Sequence, residues 1–171
     1  MHPATPETRL DSQARIVAAD FADDQVRELL ALHFAQMRGQ SPADACHVLD
    51  IASLKSPDIS LFALWRHETL LGVGALKALH DGTGEIKSMR TRPDAVGRGV
   101  GGRILEHIIE EAVRRGYRRL SLETGSGPAF EAALKLYRRR GFAEGEPFGG
   151  YPPTDFTVFL HLDLPAPERG P

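Results

Sequence analysis

The sequence predicts a single α/β domain of the α+β type, a mixed central sheet of about six or seven strands flanked by about four helices. Three observations carry this. Between residues 100 and 115, Ile104, Leu105, Ile108, Ile109, Ala112 and Val113 recur at helical spacing on one side, with Arg103, Glu106, His107, Glu110, Glu111, Arg114 and Arg115 on the other. Before this helix, three β-type segments follow one another through connections short enough to make them antiparallel neighbours. After it come a strand, another amphipathic helix and a last alternating strand. A chain of 171 residues suits one domain with a sizeable core.

In order, residues 1–13 are polar with two prolines and read as a flexible tail, residues 14–164 as the domain, and residues 165–171 as a second flexible tail. Residues 15–19 form a first strand. Asp20, Asp23 or Asp24 caps the helix that follows, whose apolar face is Val26, Leu29, Leu30, His33 and Phe34 and whose end is expected at Gly39. Ser41-Pro42 opens another helix, with Ala45, Val48, Leu49, Ala52 and Leu54 on its buried side. Residues 60–66 and 70–79 make an antiparallel hairpin, in which Gly72 and Gly74 signal a bulge or close packing. Asp81-Gly82-Thr83-Gly84 turns the chain into a third strand, residues 85–91. Alternation puts Glu85, Lys87, Met89 and Thr91 on one face of it, and Ile86, Ser88 and Arg90 on the other. Gly116 ends the central helix. Residues 118–124 are a strand, residues 128–140 a helix stopped by Gly141, and residues 157–164 the last strand, after a Gly/Pro-rich connector.

Composition excludes several classes. With 21 basic and 23 acidic residues the net charge is −2, which argues against nucleic acid or an anionic membrane as an obligate partner. The single cysteine, Cys46, excludes an intrachain disulfide, fits a reducing, cytoplasmic compartment and reads as a buried structural thiol rather than a nucleophile. The amino terminus has no apolar signal-peptide core, and no apolar run approaches the roughly 20 residues of a membrane span. No metal-binding motif is present. A monomer and a homodimer are both compatible with the sequence.

The chemistry-bearing stretch is the loop Gly97-Arg98-Gly99-Val100-Gly101-Gly102 at the start of the central helix. Bare amides at a helix N-terminus form an anion site, strengthened by the helix dipole, and Arg98 adds a fixed positive charge. The physical reading is a cradle for a pyrophosphate. The same glycines satisfy G-x-G-x-x-G, with Glu123 near the offset at which an acidic residue would hold a ribose. Against an NAD(P)-dependent oxidoreductase stand the polar strand before the loop, the intervening residues 92–96 with their proline, and the short remainder of the chain. The loop lacks the GK[ST] ending of a nucleotide triphosphatase.

The order of strand, X-Pro turn, R-G-x-G-like loop, amphipathic helix, Gly-Tyr, strand, and a helix ending in L-Y-R-R-R-G-F resembles the GNAT superfamily of N-acetyltransferases. The match is strongest over residues 85–142 and in the segments IKSMRT, YRRLSLETGS and LYRRRGF. The resemblance implies a splay between the fourth and fifth strands that admits the pantetheine arm of acetyl-CoA, the co-substrate, with no metal. It implies coenzyme contacts at Met89, Arg90, Thr91, Val96, Gly97, Arg98, Gly99, Val100, Gly101, Gly102, Ser126, Phe130 and Tyr137. The Met89 backbone N–H would polarise the thioester carbonyl and hold the oxyanion. Tyr137 would be the acid for the departing thiolate, as against a packed core tyrosine. Glu85 is the first candidate for the base that deprotonates an amine acceptor, as against a solvated strand-end carboxylate paired with Lys87 or Arg90; Glu123 is the second. The first two helices would wall the acceptor site, where His33 and His47 either contact substrate or are simply packed. The loop carrying Phe148, Tyr151 and Asp155 would close over it. Two departures stand out. Val96 occupies the position of a phosphate-pairing Arg or Gln, and Phe130 that of an Asn which would bond the coenzyme arm. They keep open a non-catalytic coenzyme-binding module as an alternative.

These readings separate in a thermal-shift titration. Coenzyme A is expected to raise Tm and NAD to leave it unchanged; the reverse result would make the glycine loop a dinucleotide site.

Overall fold

The computed structural model describes residues 10, 12–43 and 50–166. Seven strands form one mixed sheet: β1 (Ala14–Ala18), β2 (Ile59–Arg66), β3 (Thr69–Ala78), β4 (Gly84–Thr91), β5 (Arg119–Gly125), β6 (Ala143–Glu144) and β7 (Thr157–Asp163). Their spatial order is β1-β2-β3-β4-β5-β7-β6. Three α-helices accompany them among the described residues: α1 (Asp24–Gln40), α2 (Val100–Arg114) and α3 (Glu131–Arg140). The expected helix after Pro42 has its centre, with Cys46 and His47, outside the described residues; at its far end Ser53–Lys55 is one 3₁₀ turn that buries Leu54. The short β6 lies in the stretch expected to be wholly a connector.

Local chemistry explains the element ends. Asp23 is the cap of α1, its carboxylate accepting from the N–H groups of Gln25 and Val26. The helix runs past Gly39 to Gln40 rather than stopping at the glycine. Gly116 and Gly141 take the left-handed conformation expected after α2 and α3. Leu10, within the expected tail, donates its amide to the Arg98 carbonyl and packs against the core.

Apolar side chains bury both faces of the sheet. Val26, Leu29, Leu30 and Phe34 of α1 meet Leu61, Ala63, Val73 and Ala75 on one face. On the other, Ile104, Leu105 and Ile108 of α2 pack with Leu64, Leu76, Ile86 and Leu120. Gly74 lets α2 approach: a Cβ there would lie 2.6 Å from both Ile104 Cγ2 and Met89 Sδ. Both alternatives read from Gly72 and Gly74 are realised: the glycines pack closely under α2, and β3 bulges at Leu71, stepping from Gly72 to Leu70 against Leu64 to Trp65 of β2. A second bulge lies beside Gly74, on the neighbouring strand.

That bulge is in β4. Opposite the two-residue step from Val73 to Ala75, β4 advances from Arg90 to Lys87, one residue more. Ser88 absorbs the extra residue with φ of 54°. The simple alternation expected for this strand is thereby overturned. Beyond the bulge, Met89 joins Ile86 on the α2 face, while Arg90 shares the α1 face with Glu85 and Lys87. On its other side β4 pairs in parallel with β5 only at Gly84–Leu120 and Glu85–Ser121. Past Glu85 the strands diverge, which is the splay expected between the fourth and fifth strands.

Gly74→Ala is expected to lower unfolding free energy by about 1–3 kcal/mol in chemical denaturation, since Ile104 and Met89 must move. Gly39→Ala, where an added Cβ meets nothing within 4 Å, should raise it by about 0.4–1 kcal/mol. Equal effects at the two glycines would contradict the tight α2–β3 contact.

Candidate active site in the strand splay

The gap between β4 and β5 holds a cavity of about 160 Å³ whose walls include Lys87, Ser88, Met89, Arg90, Glu123, Phe130 and Tyr137, with Met37 and Gln40 from α1. A neighbouring cavity of about 220 Å³ is lined by Thr91, Val96, Gly101, Ile104 and Leu136, and shares Met89, Arg90, Ala133 and Tyr137 with the first. Together they run from the strand gap to the start of α2. A wider hollow beside α1, about 410 Å³, includes Glu28 and Arg92 but none of the splay or glycine-loop residues.

The glycine loop is shaped as an anion cradle requires. Gly97 and Gly99 have φ of 83° and 86°, and a Cβ at either would meet nothing within 4 Å, so the space above the loop is open. Gly99 is the N-cap of α2 and supplies no side-chain bond. The first intrahelical bond there is Arg103 N–H to the Gly99 carbonyl, which leaves the amides of Val100, Gly101 and Gly102 without an acceptor in the helix. Gly101 serves packing as well: an added Cβ would lie 3.2 Å from Leu136 Cδ2. A diphosphate fits this arrangement of donors. Arg98 lends its carbonyl to Leu10, and Val96 is 67% exposed beside the loop.

Tyr137 is only 5% exposed, packed edge-on against Phe142. Burial pushes its phenol well above the ordinary tyrosine value, while the nearby Arg90 guanidinium opposes part of that shift. The hydroxyl therefore stays protonated at neutral pH. Arg90 is anchored to α1: its Nε donates to His33 Nδ1 at 2.9 Å and its Nη1 to Gln36 Oε1 at 2.8 Å. His33, 6% exposed, is a packed residue that orients Arg90; it is absent from the cavity walls. Burial, aided by the Arg90 charge, lowers its pKa to about 3. The sequence placed Arg90 at the coenzyme but missed its guanidinium in the site, because the Ser88 bulge alone turns it toward α1.

The two candidate bases lie in different settings. Glu85 is 2% exposed, and both carboxylate oxygens are engaged: Lys87 Nζ lies 3.1 Å from Oε2, and the Tyr151 hydroxyl donates to Oε1 at 2.8 Å. Lys87 also reaches the Tyr151 oxygen at 2.6 Å. Burial and the Glu85 and Glu123 charges push the Tyr151 phenol well above its usual pKa. Glu123 lies directly on the cleft wall. Tyr151 thus ties the 145–156 loop to the sheet, and Phe148 packs edge-on against Tyr151, Phe159 and His161. Asp155 is exposed.

Met89 and Ser88 have no partner in the registers with β3 or β5, as a strand edge open to an added segment would require. Thr91 lies across from Gly72 and faces the start of α2. Phe130 packs edge-on against Phe156 within the cleft wall. Ser126 donates its hydroxyl to the Phe156 carbonyl at 2.8 Å, so it braces that loop. The arginine runs make surface ion pairs, Arg138 with Glu144 and Arg140 with Glu106. Among the described residues no group of three or more His, Cys, Asp or Glu side chains is placed to hold a metal, and no helix is long and apolar enough to cross a membrane.

A mixed sheet opened between a bulged β4 and a parallel β5, with a bare helix start beside the opening, is the architecture of an acetyltransferase domain. The chain belongs to the acetyltransferase (GNAT) family, whose model matches residues 24–142. It is 43% identical over 145 residues to the uncharacterized N-acetyltransferase YedL of Escherichia coli strain K12, spanning 85% of this chain and 91% of that protein. It is 45% identical over 145 residues to the uncharacterized N-acetyltransferase YsnE of Bacillus subtilis strain 168, spanning 85% and 96%. Among solved structures, a Klebsiella pneumoniae protein assigned as an acyl-CoA N-acyltransferase superposes with a TM-score of 0.75 at 25% identity, over 90% of this chain and 99% of that one. A Bacillus subtilis acetyltransferase in complex with CoA superposes with a TM-score of 0.67 at 22% identity, over 88% and 99%.

The His33 environment sets a pH dependence of stability. Its folded-state pKa of about 3 lies below the ordinary histidine value of 6.5, so between those values the unfolded chain binds the extra proton. Stability should therefore fall as pH drops below 6.5, and His33→Gln should flatten that part of the profile. An unchanged slope in the variant would show that His33 is protonated in the folded protein.

Proposed function

We propose that the protein is an N-acetyltransferase that transfers the acetyl group of acetyl-CoA to a primary amine by direct attack in a ternary complex. One observation carries this reading: Tyr137, Arg90 and Glu123 line the cavity where β4 leaves β5, and that cavity shares a wall with the one reaching the bare first turn of α2.

The amides of the glycine loop hold the coenzyme diphosphate. The unpaired edge at Ser88 and Met89 takes the pantetheine arm as an added strand. Glu123 removes a proton from the acceptor ammonium; its place on the cleft wall, from which Glu85 is absent, favours it over Glu85. The amine nitrogen then forms a C–N bond to the thioester carbonyl carbon. The Met89 N–H stabilises the resulting oxyanion. As the C–S bond breaks, the electron pair leaves on sulfur and Tyr137 gives it a proton; the phenolate so formed takes the second proton from the new amide nitrogen, leaving a neutral amide and a thiol. The Arg90 cation beside Tyr137 offsets the phenolate charge left behind. No cysteine or serine is needed as a covalent carrier. Glu85, Lys87 and Tyr151 act as a brace that holds the 145–156 loop against the acceptor side.

The alternative of a coenzyme-binding module without turnover is favoured only by Val96 and Phe130, which give the loop and the coenzyme arm apolar neighbours. It predicts a coenzyme A-dependent rise in Tm without thiol release from any amine panel.

With an active acceptor, Tyr137→Phe should lower kcat by roughly 10²-fold or more while coenzyme A affinity is retained. Glu123→Gln should remove the acidic limb of the kcat/KM profile, and Glu85→Gln should leave that limb in place. If only Glu85→Gln abolishes it, Glu85 is the base; if Tyr137→Phe leaves the rate and profile intact, the acid lies elsewhere.

A further inference from the structure

Among the charged groups of the cleft, Arg90 is unlike the others. Lys87 is paired with Glu85, and the surface arginines at 92, 114, 115, 118, 119, 138 and 140 each have a carboxylate. Arg90 is half-buried and has no carboxylate partner among the described residues. Its Nε and Nη1 are bound by neutral acceptors, His33 Nδ1 and Gln36 Oε1, and no bond to Nη2 is found among those residues. Both acceptors are on α1, so the guanidinium is fixed on the α1 side of the cleft, next to Met37 and Gln40.

Desolvation lowers the Arg90 pKa, which marks a charge held partly out of water. His33, kept neutral, adds no positive charge of its own and fixes the plane of the guanidinium. A planar fork on the cavity wall, with one nitrogen unbonded among the described residues, matches a carboxylate, which accepts in the same plane. Glu123 is on the same cavity wall, so cation and anion flank one space. That pairing complements a molecule bearing both an ammonium and a carboxylate.

We infer that the acceptor is an amino-acid-like amine, and that Arg90 binds its carboxylate while the amine faces the acetyl group. This rests on the acetyltransferase reading above and narrows its acceptor class. Arg90 becomes a specificity-determining residue, placed by a histidine and a glutamine that do not touch the substrate.

The test uses the full chain saturated with coenzyme A and product-like probes without an amine: N-acetylglycine, N-acetylleucine and N-acetylphenylalanine, each beside its carboxamide. At least one acid is expected to raise Tm, with its amide weaker by roughly tenfold or more in affinity. Arg90→Gln should erase that difference; its coenzyme A-dependent Tm rise verifies that it is folded. Equal shifts for acids and amides, no shift with any acid, or discrimination retained in Arg90→Gln would each overturn the inference. The wild-type comparison needs no variant and stands even if Arg90→Gln does not fold. A parallel thiol-release assay with the free amino acids and their amides separates the two readings. Acid discrimination without turnover would sink the transferase and the acceptor role with it, and leave Arg90 only as a carboxylate-binding residue. Turnover of amines lacking a carboxylate as fast as amino acids would leave the transferase standing and overturn this inference.

Discussion

The site depends on one interrupted interaction, the β4–β5 ladder. The two strands share only two register pairs before they part, and the extra residue at Ser88 bends β4 away just beyond them. An unbroken parallel pair would close the gap with main-chain hydrogen bonds and leave no edge for a ligand to extend. The loss of those bonds is tolerated because both ends of β4 are secured. Its first half is buried between the two cores, and its second half is tied through Arg90 to α1. A single inserted residue therefore creates the cavity and decides which side chains enter it.

α2 supplies the other half of the arrangement. Its apolar face packs so closely on β3 that only glycine fits at position 74, and this contact fixes the helix start beside the splay. The left-handed glycines before it keep the approach to its first amides clear. The bare helix start and the gap are thus positioned by the same helix: one face seals the core, and one end opens beside the splay.

Charge in the cleft is distributed unequally. Glu85 and Lys87 neutralise each other and fasten Tyr151, so the most buried ionised pair serves to hold the loop. Arg90 and Glu123 remain on the cavity wall with Tyr137, whose burial keeps it a proton donor. Such a division separates a buried pair that maintains shape from groups on the cavity wall. The neutral His33 belongs with the former, as its place on the apolar face of α1 favours.

Much of this was legible in the residues. Periodicity located α2, the left-handed glycines at 116 and 141 marked helix ends, Asp23 was among the candidate caps, and the motif order identified the family, because each of these is written in local spacing. The loop at residues 97–102 likewise carries its chemistry in its composition. The faces of β4 were not legible: strict alternation paired Glu85 with Met89 and set Arg90 apart, and the Ser88 bulge reversed both. No local signal forces a serine into positive φ; the registers imposed by β3 on one side and by the divergence from β5 on the other do so. The engagement of Glu85 by Lys87 and Tyr151 and the anchoring of Arg90 by His33 and Gln36 join residues distant along the chain. Sequence alone therefore determined the fold and the bare-amide start of α2, since those follow from local backbone and patterning. Only the tertiary structure decided which ionisable groups face the reaction space, because that depends on burial and on partners brought together by packing.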